Sequence, residues 1–223
     1  MRKIAILVLA TLLVASASLQ AQPVPDAARH LIYLHGRIVQ DQQDRRPKHP
    51  EHGYYELDAI ARAFRENGFT VTAEIRPRDM TVGESADQTV RKVRQLLDSG
   101  IPKDRITVVG ASMGSWIALL ASVRLGEPDI RFVLLSPCLS ANVAAVTAEE
   151  GRAPKGQLLV IRDASDLPDS DCPPWNGDGR ETPGLFAEEI VIDTGLGHGF
   201  LYRPMPEWLD PLLARLSRAS AAE

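Results

Sequence analysis

One serine of this 223-residue chain lies between two glycines, in the segment Gly110-Ala111-Ser112-Met113-Gly114. This G-x-S-x-G pattern follows an apolar run and precedes a helical pattern, which is typical of a strained turn whose glycines let neighbouring backbone pack closely. The hydroxyl would lie at the amino end of the helix, where backbone N–H groups favour developing negative charge. The segment therefore predicts Ser112 as an activated nucleophile.

A serine needs a base to take its proton, and five histidines are candidates. His198 lies in a glycine-rich loop after the last strand pattern, where the chain can bend the ring back over the sheet edge. His30 opens the first strand pattern, His35 ends it, and His49 and His52 lie in a charged loop. We predict His198 as the base and interpret His35 as a structural residue that holds the loop after the first strand.

The base needs a carboxylate that fixes its tautomer and stabilises the imidazolium. The region after the fifth strand pattern offers Asp163, Asp166, Asp169 and Asp171. Asp166 is the first choice, because a short turn is needed to bring the side chain towards the histidine loop. Asp163 lies almost on the strand and is the alternative, whereas Asp169 and Asp171 are interpreted as solvated loop residues.

Two backbone N–H donors are needed for the oxyanion that such a reaction forms. Met113 follows the serine and would supply one of them. The turn Leu34-His35-Gly36 leaves the first strand pattern, and its glycine allows a close approach to the reacting atoms. The N–H of Arg37 is the expected second donor, with Ile38 next.

The elements that must position these residues form an alternation of short β-rich runs and longer helical patterns, which predicts parallel βαβ units. Most runs are continuously apolar, as expected of strands covered on both faces. An α/β fold with a mostly parallel sheet and helices on both sides follows. The six runs are His30–Leu34, Phe69–Ile75, Arg105–Val109, Ile130–Leu135, Gln157–Ile161 and Glu189–Ile192.

Amphipathic or wholly apolar spacing predicts the helices between these runs. Trp116 lies in the most apolar of them and is assigned to the core, while the stretch from Asp163 to Gly184 is predicted to be a long loop. The helices are expected at Tyr55–Glu66, Ala86–Leu97, Ser112–Leu125 and Pro206–Ala219, with a short one at Asn142–Glu150.

Taken together, the segments Leu34-His35-Gly36, Gly110-Ala111-Ser112-Met113-Gly114, Val160–Asp166 and Gly197-His198-Gly199-Phe200 resemble the α/β-hydrolase superfamily, of the small serine esterase or dienelactone-hydrolase-like sort. The resemblance spans essentially the whole chain after its first residues. It implies Ser112 as nucleophile, His198 as base, Asp166 as acid, and Arg37 and Met113 as oxyanion donors.

Two departures from the family pattern bear on the substrate. Only about eight residues lie between a predicted signal-peptide cleavage after residue 21 and the first strand pattern, so the sheet is expected to be reduced to about six strands. The link between the fourth and fifth runs, Ser136 to Gly156, is too short for a lid domain. An open site favours small or soluble esters, or thioesters, over bulk fat.

Composition agrees with a globular chain: 44% of residues are hydrophobic and 24% are charged, with a formal net charge of −4. There is no basic stripe of the kind that a nucleic-acid binder uses on phosphates. We therefore expect a small-molecule ester as partner and no nucleic acid, and the resemblance implies no cofactor.

The first residues have the features of a secretory signal peptide. Arg2 and Lys3 precede an apolar run from Ile4 to Val14, which is too short to span a membrane, and small residues follow. The prediction is a signal peptide over 1–21, one domain over 22–223, no stable membrane span after cleavage, and a periplasmic or secreted location. An uncleaved anchor is the alternative.

An oxidising compartment allows Cys138 and Cys172 to pair. They follow the fourth and fifth strand patterns, whose ends are neighbours in a sheet of this type, so a disulfide is predicted. Two free thiols are the alternative.

Weaker features are interpreted as follows. The segment His49-Pro50-Glu51-His52 has residue types that bind metals, but its proline and charged surroundings favour a surface loop, so no metal site is predicted. Arginines near strand ends could receive a substrate carboxylate, although such residues more often pair with acidic neighbours. The arginines are Arg37, Arg76 and Arg162, and the aromatic residues that could line a pocket are Tyr54, Tyr55 and Trp175.

The same three side chains could serve an acyltransferase or a peptidase, because only the acceptor or the scissile bond differs. A non-catalytic binding protein on the same fold is a rival of another class, since fold alone does not fix function. That rival has no chemical need for a serine, a carboxylate and a histidine in this order.

Overall fold

Six parallel strands form the centre of the computed structural model, which describes residues 28–136, 139–166 and 184–218. This confirms the six-stranded sheet expected from the sequence. A separate antiparallel pair, β2 (Lys48–His49) and β3 (Gly53–Tyr54), forms a short hairpin. Across the main sheet the strands lie in the order β4 (Phe69–Thr72), β1 (Arg29–Leu34), β5 (Ile106–Ala111), β6 (Arg131–Leu135), β7 (Gly156–Asp163) and β8 (Leu185–Ile192).

Alternate residues of each strand pack under helices on opposite faces, because side chains alternate along a strand. Ile32 and Leu34 join one core cluster, whereas Leu31 and Tyr33 join the other. The first face is covered by α3 (Val82–Asp98), α4 (Met113–Leu125) and α5 (Leu139–Glu150); the second by α2 (Leu57–Glu66) and α6 (Pro206–Arg218), with a short α1 (Arg37–Gln42) after β1.

Helix α3 begins four residues before the expected Ala86. Thr81 is its N-cap: the hydroxyl accepts a hydrogen bond from the Glu84 N–H (3.2 Å), and the Glu84 carboxylate accepts one from the Thr81 N–H (2.9 Å). This reciprocal capping box stabilises the first turn, so the helix includes Val82 and Gly83. The sequence Thr-x-x-Glu is the signal that marks this start.

Several expectations about local structure were wrong, among them the start of β8, which lies at Leu185 instead of Glu189. Helix α1 and the β2–β3 hairpin occupy a region expected to be a loop, and β4 ends at Thr72 rather than Ile75. Trp116 is 37% exposed although it belongs to the mostly buried α4. A helix apolar on every face gives no periodicity from which to tell its outward side, which explains the error at Trp116.

Other predictions lie outside the described residues: the signal segment 1–21, the Cys138–Cys172 pairing, Trp175, and most of the 163–184 loop with Asp169 and Asp171. Of the helices that the structure describes, none is both long and apolar enough to cross a membrane.

Candidate active site

Ser112 lies in a tight turn between β5 and α4, with φ 53° and ψ −120°. A non-glycine residue with positive φ is strained, at a cost of about 1–3 kcal/mol, and such strain is concentrated at functional sites. The flanking glycines are required by contact. A Cβ on Gly110 would lie 2.1 Å from the Gly114 carbonyl oxygen, and one on Gly114 would lie 1.9 Å from the Leu34 carbonyl oxygen.

The structure brings Ser112, His198 and Asp166 into one hydrogen-bonded chain. The Ser112 Oγ is 2.9 Å from His198 Nε2, and His198 Nδ1 is 3.0 Å and 2.9 Å from the two Asp166 carboxylate oxygens. The Asp166 side chain is 9% exposed and that of His198 is 37% exposed. The carboxylate is therefore covered by protein, whereas part of the imidazole remains exposed.

Asp163, the alternative acid, forms its hydrogen bonds with Ser165 and Thr194. It is fully buried, and its carboxylate accepts hydrogen bonds from Ser165 N–H (2.8 Å) and Thr194 N–H (2.9 Å) as well as from both hydroxyls. Burial raises the pKa of Asp163, but these hydrogen bonds outweigh it and leave that pKa below its ordinary value. Ser165 Oγ in turn accepts from Gly197 N–H (2.9 Å), so Asp163 anchors the histidine loop rather than the imidazole.

Ser136 is a site residue that the sequence reasoning missed. Its hydroxyl donates to Asp166 Oδ2 and lies 3.4 Å from His198 Nδ1. It directly follows β6, and its N–H continues the ladder to Ile161 O at 2.9 Å. The rule that functional side chains follow the strand ends of a parallel sheet would have pointed to it.

The two expected oxyanion donors are the first residues of α4 and α1. Met113 follows the serine directly, and Arg37 follows Gly36, where an added Cβ would be in van der Waals contact with Ser112 Cβ at 3.5 Å. First-turn N–H groups of a helix have no partner within that helix. Both N–H groups are thus free of intrahelical bonds; Met113 is next to the serine in the chain, and Arg37 lines the same pocket as Ser112.

His35 is buried and holds the turn after β1. Its Nδ1 donates to the Gly36 carbonyl oxygen (2.8 Å), and its Nε2 accepts from the Arg76 N–H (3.1 Å). Burial, with the nearby Arg76 charge, lowers the pKa of His35 to about 3. The ring is therefore a neutral structural group, in keeping with the role expected from the sequence.

A pocket of about 350 Å³ opens beside Ser112 and His198. Tyr55 is one of its walls, as expected, whereas Tyr54 is 44% exposed and lies under Arg46 instead. Apolar and charged groups both face the pocket: Gly36, Arg37, Ile38, Asp41, Gln42, Lys48, His49, Pro50, Tyr55, Leu201 and Tyr202.

The β2–β3 hairpin places a pair of stacked histidine rings at the pocket edge. The centroids of His49 and His52 are 4.5 Å apart, and His52 lies 6.4 Å from the His198 ring and 5.3 Å from that of Tyr202. His49, Glu51 and His52 each offer one atom of a type that can bind a metal ion, and these three atoms lie within 4.8 Å of one another. Burial and the neighbouring imidazoles lower the pKa of His52.

The three arginines considered for substrate binding have different surroundings in the structure. Arg37 lines the pocket. Arg162 pairs with Glu189 at 3.1 Å and Arg76 is buried against His35, so neither faces the pocket. Of the three, Arg37 alone is placed to meet a substrate.

Several solved structures have a fold similar to that of this chain. No protein-family model matches the sequence, and no curated protein matches it. A putative alpha/beta hydrolase of unknown function from Agrobacterium tumefaciens is similar over 91% of this chain and 90% of its own, with 19% identity and a TM-score of 0.58.

Two further solved structures have a similar fold. MGS-MChE2, an alpha/beta hydrolase enzyme from a metagenome of lagoon sediments at Mar Chica, Morocco, has 19% identity over 87% of this chain and 92% of its own (TM-score 0.53). An esterase/lipase from an uncultured bacterium has 11% identity over 89% of this chain and 78% of its own (TM-score 0.54). At such identities the likeness shows the fold.

Proposed function

Because this chain has the α/β-hydrolase fold, we propose that it is a serine hydrolase that cleaves small or soluble carboxylic esters or thioesters. The observation that carries the proposal is the contact of His198 with Ser112 on one ring nitrogen and with Asp166 on the other. A hydroxyl, an imidazole and a carboxylate in this order are the groups of general-base-assisted nucleophilic catalysis.

In the first half of the reaction, Ser112 Oγ attacks the substrate carbonyl carbon while its proton passes to His198 Nε2. Asp166 accepts the Nδ1 proton in a hydrogen bond, which fixes the tautomer and stabilises the imidazolium. The N–H groups of Met113 and Arg37 would stabilise the oxyanion, a contribution of about 3–4 kcal/mol per donor in related chemistry. The bond to the leaving alcohol or thiol then breaks, and His198 returns its proton to that group.

In the second half, a water molecule donates a proton to His198 Nε2 as its oxygen attacks the acyl-enzyme carbonyl. Collapse of the second tetrahedral species releases the acid and returns the proton to Ser112 Oγ. Every step uses the side chains and backbone of this chain, the ester and water.

The pocket supports the substrate class. Its volume of about 350 Å³ suits a small acyl or alcohol group, because ligand pockets for larger drug-sized molecules range up to about 1,000 Å³. Its walls combine apolar Ile38 and Leu201 with charged Arg37, Asp41 and Lys48, a mixture suited to soluble substrates. Export, proposed from the first 21 residues, would place the enzyme in the periplasm or outside the cell.

Hydrolysis of p-nitrophenyl esters of increasing acyl length tests the proposal. We expect turnover of short-chain esters that declines as the acyl group outgrows the pocket, and loss of turnover in Ser112→Ala. Equal turnover by wild type and Ser112→Ala would contradict the proposal. A wild-type protein that binds these esters without cleaving them would instead favour a binding protein on the hydrolase fold.

A further inference from the structure

A second cavity, of about 260 Å³, lies away from Ser112 at the sheet edge, between β1, the segment 72–77 and helix α3. Its lining includes none of the residues that border the catalytic pocket. The polar side chains in its lining include those of Thr72, Glu74, Arg76, Ser85, Gln88 and Lys92.

Arg76 is the buried cation of this cavity wall, at 5% exposure. Its guanidinium donates to the His35 carbonyl oxygen (2.6 Å) and to the Gln40 side-chain oxygen (3.2 Å), both neutral acceptors. Within residues 28–136, 139–166 and 184–218, no carboxylate forms an ion pair with it. A guanidinium buried without a counter-charge is costly, and burial lowers the pKa of Arg76 to about 10.

Two buried polar atoms on this wall also lack a hydrogen-bond partner among the described residues. They are Arg76 Nη1 and the hydroxyl oxygen of Ser85, a residue that is 2% exposed. Buried polar groups are nearly always hydrogen-bonded, so two unsatisfied donors behind one cavity wall add to the uncompensated positive polarity that Arg76 gives this wall.

The charges of the lining define the sign of that ligand. Lys92 Nζ is 2.7 Å from a Glu74 carboxylate oxygen, so these two charges offset each other at the cavity rim. The charge of Arg76 is left uncompensated, which matches a ligand of one negative charge. Ile32, Leu34 and Ile75 supply an apolar part of the lining, which suits a ligand with a short apolar body.

We propose that this cavity is a binding site for a small organic carboxylate, a monoanion with an apolar body. The carboxylate compensates the buried charge of Arg76 across the cavity wall and accepts a hydrogen bond from the Gln88 amide, which lines the cavity. An inorganic phosphate would bring more charge than the site lacks and would leave the apolar wall uncovered. Carboxylate binding here is independent of the proposed hydrolase activity.

Calorimetric titration of the full chain with benzoate tests the site, with benzyl alcohol as the neutral analogue and inorganic phosphate as the bare oxyanion. We expect saturable benzoate binding that raises the Tm, and weaker binding of the other two. Gln88→Glu keeps the side-chain shape but adds a negative charge to the lining, and should weaken benzoate binding by about tenfold or more. Gln95→Glu is the matched control, on the exposed face of the same helix, and should leave binding unchanged.

A third variant separates the two pockets. Ile38→Trp fills part of the pocket beside Ser112 and should leave benzoate binding unchanged. Benzoate binding that is absent in wild type, unaffected by Gln88→Glu, lost in Ile38→Trp, or matched by benzyl alcohol or phosphate would overturn the proposal. Each readout is binding, so these outcomes do not depend on whether the protein hydrolyses esters.

Discussion

Ser136 holds the oxygen of Asp166 that also faces the histidine: its hydroxyl donates to Oδ2, which lies 2.9 Å from His198 Nδ1. The serine sits at φ 66°, a conformation that favours glycine. The residue that directly follows β6 thus positions the carboxylate of a residue that follows the neighbouring strand β7. Two substitutions of Ser136 can distinguish the effect of its hydrogen bond from the effect of its positive φ.

Replacing Ser136 by glycine or by alanine removes the hydrogen bond in both cases. We expect kcat for ester hydrolysis to fall by about tenfold in each variant, with little change in KM, because a hydrogen bond to a charged group contributes about 1.5–3 kcal/mol. Ser136→Gly should unfold at higher denaturant concentration than Ser136→Ala, since glycine relieves the positive φ. Unchanged kcat in both would show that Asp166 needs no support from this hydroxyl.

Asp166 and Asp163 should respond differently to the same isosteric change. Asp166→Asn should lower kcat by about 10³-fold or more with little loss of stability, because the imidazolium loses its counter-charge. Asp163→Asn should lower the free energy of unfolding by about 1–3 kcal/mol. Four N–H and O–H groups donate to the Asp163 carboxylate, and asparagine replaces one of the two accepting oxygens by an NH₂ group that cannot accept them. Steady-state kinetics and chemical denaturation measured on both proteins check this, and an exchange of the two outcomes would reverse the assignment of the acid.

His35 should make stability depend on pH below neutrality. Its pKa is about 3 in the folded state and about 6.5 in the unfolded chain, so between these values the unfolded chain binds more protons. Stability contributed by the neutral ring is complete above pH 6.5 and is lost as pH falls towards 3, by up to about 1.4 kcal/mol per pH unit. His35→Gln should be less stable at pH 7 and should show a flatter dependence of unfolding free energy on pH from 6 to 4. A parallel dependence in the two proteins would place the proton uptake elsewhere.

Gly114 should tolerate no side chain. Alanine there would place its Cβ 1.9 Å from the Leu34 carbonyl oxygen, so either α4 or β1 has to move. We expect Gly114→Ala to lose about 3 kcal/mol or more of stability, or to accumulate as insoluble protein. Gly100→Ala, at φ 87° with no atom within 4 Å of the added Cβ, should cost only about 1 kcal/mol. Thermal unfolding of both variants measures the difference, and equal losses would contradict the close approach.

Several elements were predictable because their signals are local. Continuous apolar runs indicated the six strands, and the rule that sites of open parallel sheets lie at the carboxyl ends of the strands brought Ser112, Asp166 and His198 together. The G-x-S-x-G segment indicated the turn at Ser112 because the pattern encodes a steric need. These inferences required no knowledge of long-range contacts.

What the sequence did not reveal depends on contacts between distant segments. Spacing alone did not decide between Asp163 and Asp166, because the choice depends on how the turn after β7 meets the histidine loop. The hairpin that brings His52 against the His198 loop has strands of only two residues, too short for a periodic signal. The partner of Ser136 likewise comes from another strand end.

Reaction with a fluorophosphonate, followed by peptide mass mapping, tests the assignment of Ser112 as nucleophile and His198 as its base most directly. We expect one covalent adduct per chain, located on Ser112, formed quickly by wild type and slowly or not at all by His198→Ala. An adduct on another residue, or labelling of Ser112 that is as fast without the imidazole as with it, would contradict that assignment.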